Sequence, residues 1–174
     1  MRGFLALEPD DATLAGLVAR QNRLRDGLAR QGVSFADRLN APLVVWPFAR
    51  VNELDEAFRR LSPCAFSSSL GPLRGGPNDD RPGEIGHALE GTEPFQGKIW
   101  EELRELLDPD PPKPPFVRLV RVSPPSRKVG HTLRSIGLLG TGSGRFIAES
   151  LGIWTQTPQG FEIYRRMRLG HGGT

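Results

Sequence analysis

The chain has 174 residues, 37% hydrophobic and 25% charged, with a formal net charge of +3 and a single cysteine, Cys64. That length favours one domain with a sizeable core of its own, and a lone cysteine excludes an internal disulfide framework or a multi-cysteine zinc site. No stretch approaches the roughly 20 apolar residues of a membrane helix, and "MRGFLALEPDD" meets acids too soon for a signal peptide, so the expected compartment is the cytoplasm.

In chain order, "RGFLALE" (2–8) predicts an opening strand. The helix that follows carries Leu14, Leu17, Val18, Leu24 and Leu28 at helical spacing, with Asp10 or Asp11 as its cap and Gly32 as its stop. "VSFA" (33–36) and "APLVVWPF" (41–48) are extended, and the latter has no ionisable group. "VNELDEAFRRLS" (51–62) is a second amphipathic helix with Asn52 at its cap and Leu54, Ala57, Phe58 and Leu61 along one stripe. A strand over 64–73 leads into the Gly/Pro/Asp-rich segment 74–83, expected as a mobile loop, and "EIGHALE" (84–90) resumes a strand.

A third helix is predicted over 91–110, capped by Thr92 and stopped by the Asp-Pro pairs at 108–111. "PPKPPFVRLVRVS" (111–123) becomes a strand at Phe116, and 124–140 reads as a helix broken at Gly130 and Gly137. The segments 145–154 and 160–169 alternate as paired strands around the turn "TQTPQG", and 170–174 reads as a flexible tail. Both "APLVVWPFARV" (41–51) and "PPFVRLVRV" (114–122) run from proline into an apolar strand ending in Arg-Val, which suggests two related lobes.

Most chemical motifs fail on context. "LGTGSGR" (139–145) has the glycines of a phosphate cradle, but it follows a helix and precedes a strand, the reverse of the order that aims helix-end amides at a phosphate. His87, His131 and His171 show no metal-ligand spacing, and no nucleophile elbow is present, so no metal and no cofactor are expected. "SSS" at 67–69 reads as a hydroxyl-rich strand edge. Arg165, Arg166 and Arg168 lie close together in "YRRMR", a basic group near the end of the chain whose bland reading is a solvated strand face.

Read end to end, the order of elements resembles the 2H phosphoesterase superfamily, and within it the bacterial 2′-5′ RNA ligase / RNA 2′,3′-cyclic phosphodiesterase family. "MRGFLALEP" is similar to that family's "MR-x-F-x-A-L" strand, "PPFVRLVRV" to its "P-H-x-T-L-A-R-V", and "ESLGIWTQTPQGFEIYRRMRL" to its closing hairpin. "GVSFADRLNAPLVVWPFARV" and "RPGEIGHALEGTEPFQGKIWEELREL" resemble the stretches between. The resemblance spans nearly all of 1–174 as a single two-lobed domain. It implies an α+β fold of two pseudo-symmetric lobes, each a small mostly antiparallel sheet backed by helices, around a central groove.

In that family two His-x-Thr motifs, one per lobe, face the groove. One imidazole takes a proton from the attacking oxygen, the other gives one to the departing ribose oxygen, and the threonines hold the phosphate. The resemblance places the first motif on Pro42-Leu43-Val44 and the second on Phe116-Val117-Arg118. The four groove positions are then Pro42, Val44, Phe116 and Arg118, with neither histidine nor threonine, so no catalytic residue is carried over.

Three readings follow. The first is a non-catalytic relative that binds RNA ends, nucleotides or another phosphorylated small molecule through Arg118, with Trp46 or Phe116 as stacking faces and Arg165, Arg166 and Arg168 as a basic rim. The second is an interaction or small apolar-ligand scaffold whose groove is closed by Trp46 and Phe116. The third is an active phosphodiesterase with relocated chemistry at His87 or His131. Oligomeric state is not legible in the sequence.

Overall fold

The computed structural model describes residues 1–29, 35–36, 43–61, 66–92, 97, 101, 116–142 and 144–170, with the backbone alone at 35–36, 43–48 and 66–67. Its elements are β1 (Arg2–Pro9), α1 (Asp11–Leu28), β2 (Phe35–Ala36), β3 (Leu43–Arg50), α2 (Val51–Arg60), β4 (Phe66–Gly76), β5 (Glu84–Glu90), β6 (Phe116–Val122), α3 (Arg127–Ser135), β7 (Gly144–Thr157) and β8 (Gly160–Arg168). Apart from Gly91, Thr92, Gly97 and Glu101, the helix predicted over 91–110 lies outside the described residues, as do Gly32, Cys64, Pro42 and the tail 171–174. No described helix is long and apolar enough to cross a membrane.

Among the described residues the strands form one sheet in the order β2-β6-β5-β4-β7-β1-β3, with β8 added on β7, and every pairing is antiparallel. The α+β class, the antiparallel sheet and the helical backing are as expected. The two lobes, however, share a strand. The first residues of β7, Gly144 to Ala148, pair with β4, and its later residues run between β1 and β8. We call the two halves of this sheet arms: β3-β1-β7-β8 and β4-β5-β6-β2.

The helices cover one face. Leu17, Leu24 and Leu28 of α1, Leu54 and Phe58 of α2 and Leu133 of α3 join a cluster with Leu5, Leu7, Ile85, Leu89 and Ile153 of the sheet. Asp10 caps α1 by accepting from the Thr13 amide at 2.8 Å. The predicted apolar stripe of α1 is altered at one place: Val18 is 38% exposed, and Gln21 is buried instead. Its Nε2 donates to the Leu119 carbonyl at 2.7 Å, which makes a polar side chain acceptable there. At α2 the cap position is Arg50, without a side-chain bond; Asn52 is exposed one residue inside the helix, and the Val51 amide donates to Met1 O.

Residues 74–76 belong to β4, and the rest of the segment expected as a mobile loop is tied in. The Gly75 amide donates to Asp79 Oδ1 at 2.7 Å, the Arg81 amide to Asn78 Oδ1 at 2.9 Å, and the Gly83 amide to Gly76 O at 2.8 Å. Arg134 of α3 forms an ion pair with Asp80. Gly130, predicted as a break, lies inside α3 and lets this loop rest on the helix: a Cβ there would stand 2.4 Å from Asp79 O. In an open helix, Gly→Ala stabilises by roughly 0.5–1 kcal/mol. Here the methyl meets backbone oxygen, so the sign reverses, and Gly130→Ala should lower stability by roughly 1–3 kcal/mol, read as a lower urea midpoint with unchanged slope.

Candidate ligand-binding face

Strand alternation sorts side chains between the helix face and the open face. On β5, Ile85, His87 and Leu89 are buried against the core, so Glu84, Gly86, Ala88 and Glu90 belong to the open face. The register places Arg74 opposite Gly86 and Gly86 opposite Arg118, a row across three strands with an arginine at each end. Phe116 is opposite Ala88, and its ring overlies Gly86, where a Cβ would stand 2.9 Å from Phe116 Cε1 and 2.0 Å from Val117 O. Glycine is therefore required there for β5 and β6 to approach. Arg145, exposed on β7, is opposite Ser69 on the same face.

Both arginines of the row are accessible. The side chain of Arg118 is 43% exposed and stands 3.9 Å from Glu84, itself 39% exposed; that of Arg74 is 55% exposed and 3.3 Å from Asp79. Exposed pairs of this kind hold their charges weakly, at about 0–1 kcal/mol, so an incoming anion competes with them easily.

The other arm is aromatic. Phe4 is opposite Trp154, and Trp154 is opposite Ile163. Phe4 is buried beneath Phe161, with ring centroids 5.5 Å apart at 89°, and Phe161 is 40% exposed. Trp154 Nε1 is buried with no hydrogen-bond partner among the described residues. Close by in the same register, Arg166 grips Glu8 through two nitrogens at 2.7 and 2.8 Å, and the Ser150 hydroxyl also donates to that carboxylate.

The arginine trio predicted as one basic rim is divided by alternation. Arg165 is opposite Ile153 and turns to the helix face, where its Nε stands 2.6 Å from Asp55 of α2. Arg166 is neutralised by Glu8 on the open face. Arg168, exposed, is opposite Ser150. A register shift between Leu5 and Ala6 also sets apart two of the residues singled out on β3: Val44 is opposite Ala6, but Trp46 is opposite Leu5.

The histidines lie elsewhere. His87 is fully buried on the helix face, and its Nδ1 donates to Gly71 O at 2.7 Å. Burial lowers its pKa, the Gly71 bond opposes that, and the Arg20 charge lowers it further. Between the folded-state pKa and the ordinary value near 6.5, the unfolded chain binds the extra proton. This contribution to stability is thus present above pH ~6.5 and lost as pH falls through the folded-state value. Unfolding midpoints should decline over that window, and His87→Asn, which keeps an N–H for Gly71, should flatten the decline. His131 is exposed on α3, which packs on α1, and His171 lies outside the described residues. No group of three metal-ligating side chains occurs among the described residues.

A cavity of about 720 Å³ opens at the start of α2 between Arg2, Arg50, Asn52, Glu53 and Tyr164. Sequence reasoning missed it, together with Arg74, Arg145, Phe4 and Phe161. "GFEIYRRMR" does show Phe161 and Ile163 on one alternation, but only the β1–β7–β8 register brings Phe4 to them.

No protein-family model and no curated protein matches the sequence. Solved structures do match. TT0787 of Thermus thermophilus is 17% identical with a TM-score of 0.67, covering 99% of this chain and 100% of that one. E. coli LigT, solved with ATP, is 10% identical with a TM-score of 0.62 and 98% coverage of both chains. Kluyveromyces marxianus Usb1 is 16% identical with a TM-score of 0.53, covering 97% and 98%. The likeness extends from end to end and is one of fold: the chain has the antiparallel α+β fold of the 2H phosphoesterases.

Proposed function

We propose that the protein is a catalytically silent 2H phosphoesterase-fold protein that binds the phosphate of a nucleotide or an RNA end on the open face of its sheet. The observation that carries this reading is the Arg74–Gly86–Arg118 row, which presents two weakly paired guanidinium groups beside the ring of Phe116. Guanidinium groups bind phosphate oxygens in pairs, and an aromatic face takes a base of any identity. LigT has been solved with ATP, with NADP+ and with 3′-AMP, which makes nucleotides the first ligands to try here. Silence is supported by the residues at the family's motif positions and by the placement of His87 and His131 on the helix side.

The alternative of a closed apolar groove has one observation in its favour, the burial of Phe4 beneath Phe161 on the other arm. Calorimetric titration with 3′-AMP, NADP+ and adenosine at two salt concentrations separates the two. Phosphate recognition requires saturable, salt-sensitive binding of 3′-AMP and NADP+ that adenosine does not reproduce. Equal binding of adenosine, or binding of none of the three, rejects it.

A further inference from the structure

Charge is unevenly placed along the chain. From Pro111 to Ala148 there is no aspartate or glutamate, yet that stretch holds seven of the 23 lysines and arginines, leaving 16 against 20 acids elsewhere. A surface selected only for solubility mixes both signs. The fold carries this stretch round one end of the sheet. β6 presents Arg118 and Arg121 on the open face, with Glu84 opposite Arg121, and α3 then lies on the helix face with Arg127, Lys128, His131 and Arg134 exposed. The 74–83 segment joins the two layers: Arg74 of the row reaches Asp79, the Asp79 carbonyl rests on Gly130 of α3, and exposed Arg81 donates from Nε to Pro125 O at 3.2 Å. Asp79 and Asp80 are engaged by Arg74 and Arg134. Arg81, Arg121, Arg127 and Lys128 have no ion pair among the described residues.

α3 also breaks a rule that α1 and α2 keep. Those helices carry an acid in the first turn, Asp11 and Glu53, and arginines in the last, as the helix dipole favours. α3 has no acid in its first turn and places Arg127 and Lys128 there, against the dipole. We propose that α3 and the 74–83 segment form a second phosphate-contact surface, over which the backbone of a single-stranded polynucleotide continues from the open-face row. Where the strand ends is taken from the open-face reading; the surface itself rests on its own unmatched charge. Arg127, His131 and Arg134 share one side of α3 over about 10 Å, the length of roughly two to three nucleotides. Neither α3 nor 74–83 holds Phe, Tyr or Trp, so this surface holds phosphates and does not stack bases or read sequence.

The test is fluorescence anisotropy of the whole chain with a labelled single-stranded RNA dodecamer bearing a 3′-phosphate, beside the 3′-AMP titration, over a series of salt concentrations. At low salt the dodecamer should bind at least roughly tenfold more tightly than 3′-AMP, and its affinity should fall steeply as salt rises. Arg127→Gln combined with Lys128→Gln should cost the dodecamer roughly tenfold and flatten its log–log salt slope by about 1.4, at about 0.7 per phosphate contact. The same double variant should leave 3′-AMP binding unchanged. Because both substitutions relieve the dipole, its unfolding midpoint should hold or rise. Dodecamer binding indifferent to the double variant, equal weakening of 3′-AMP, a lowered unfolding midpoint, or equally tight binding of polyglutamate or phosphatidylserine vesicles overturns the proposal. A protein that ignores 3′-AMP but holds the dodecamer through Arg127 and Lys128 loses the open-face reading and keeps this surface. One that binds 3′-AMP and holds the dodecamer no more tightly keeps that reading and loses the surface.

Discussion

Incubated with 2′,3′-cyclic nucleotides, the protein should release no product above the uncatalysed background. The reaction needs one group to accept a proton from the attacking oxygen and another to donate one to the leaving oxygen. Each such group is worth roughly 10²- to 10⁴-fold, so a site lacking both forfeits roughly 10⁴- to 10⁸-fold, about 5–11 kcal/mol of barrier. The resemblance assigns those roles to positions held by Pro42 and Phe116. Nothing described nearby replaces them. Arg118 keeps its proton at any ordinary pH and can only bind charge. His87 has committed its Nδ1–H to Gly71 on the far side of the sheet, and His131 is on a helix packed against α1. Chromatographic detection after extended incubation gives the sensitivity needed. Hydrolysis that survives repurification and disappears in His87→Asn or His131→Ala would establish an active enzyme instead.

What the sequence made legible was local. The 84–90 strand is found at Glu84–Glu90, and the segment predicted as the second helix is helical over Val51–Arg60, because alternation and helical spacing are properties of a few consecutive residues. The register of distant strands is not. Trp46 is set apart from Val44 because β1 and β3 slip past each other at Leu5, and no residue in "APLVVWPF" announces that. The arginine group reads as one patch on paper, yet strand alternation sends Arg165 to Asp55 of α2 and Arg166 to Glu8 of β1. Gln21 would have been assigned to solvent, and it is buried because a β6 carbonyl waits for its amide. Arg118 is the one predicted binding residue whose side chain the structure shows exposed on the open face beside Phe116, and Arg74 joins it from a strand whose pairing no local pattern encodes.

Replacing Arg118 by glutamate should weaken 3′-AMP binding by roughly 10- to 150-fold or more while leaving the fold intact. A charge-assisted hydrogen bond is worth about 1.5–3 kcal/mol, which sets the lower part of that range for simple loss of the guanidinium group. A carboxylate in its place adds repulsion toward phosphate, and its new neighbour Glu84 carries the same charge. Stability should change by less than about 0.5 kcal/mol, because the existing pair is exposed and 3.9 Å apart. Three companion variants make the result specific. Glu84→Gln removes the competing carboxylate and should tighten binding severalfold. Phe116→Ala should cost about 1–3 kcal/mol per stacked base, and should hurt 3′-AMP more than a phosphate without a base. Arg165→Ala should behave in the opposite way: it strips buried Asp55 of one cation, so it lowers the unfolding midpoint and leaves the nucleotide titration unchanged. If Arg118→Glu and Arg165→Ala weaken binding equally, phosphate is held by diffuse positive charge, and the Arg74–Gly86–Arg118 row is not its site.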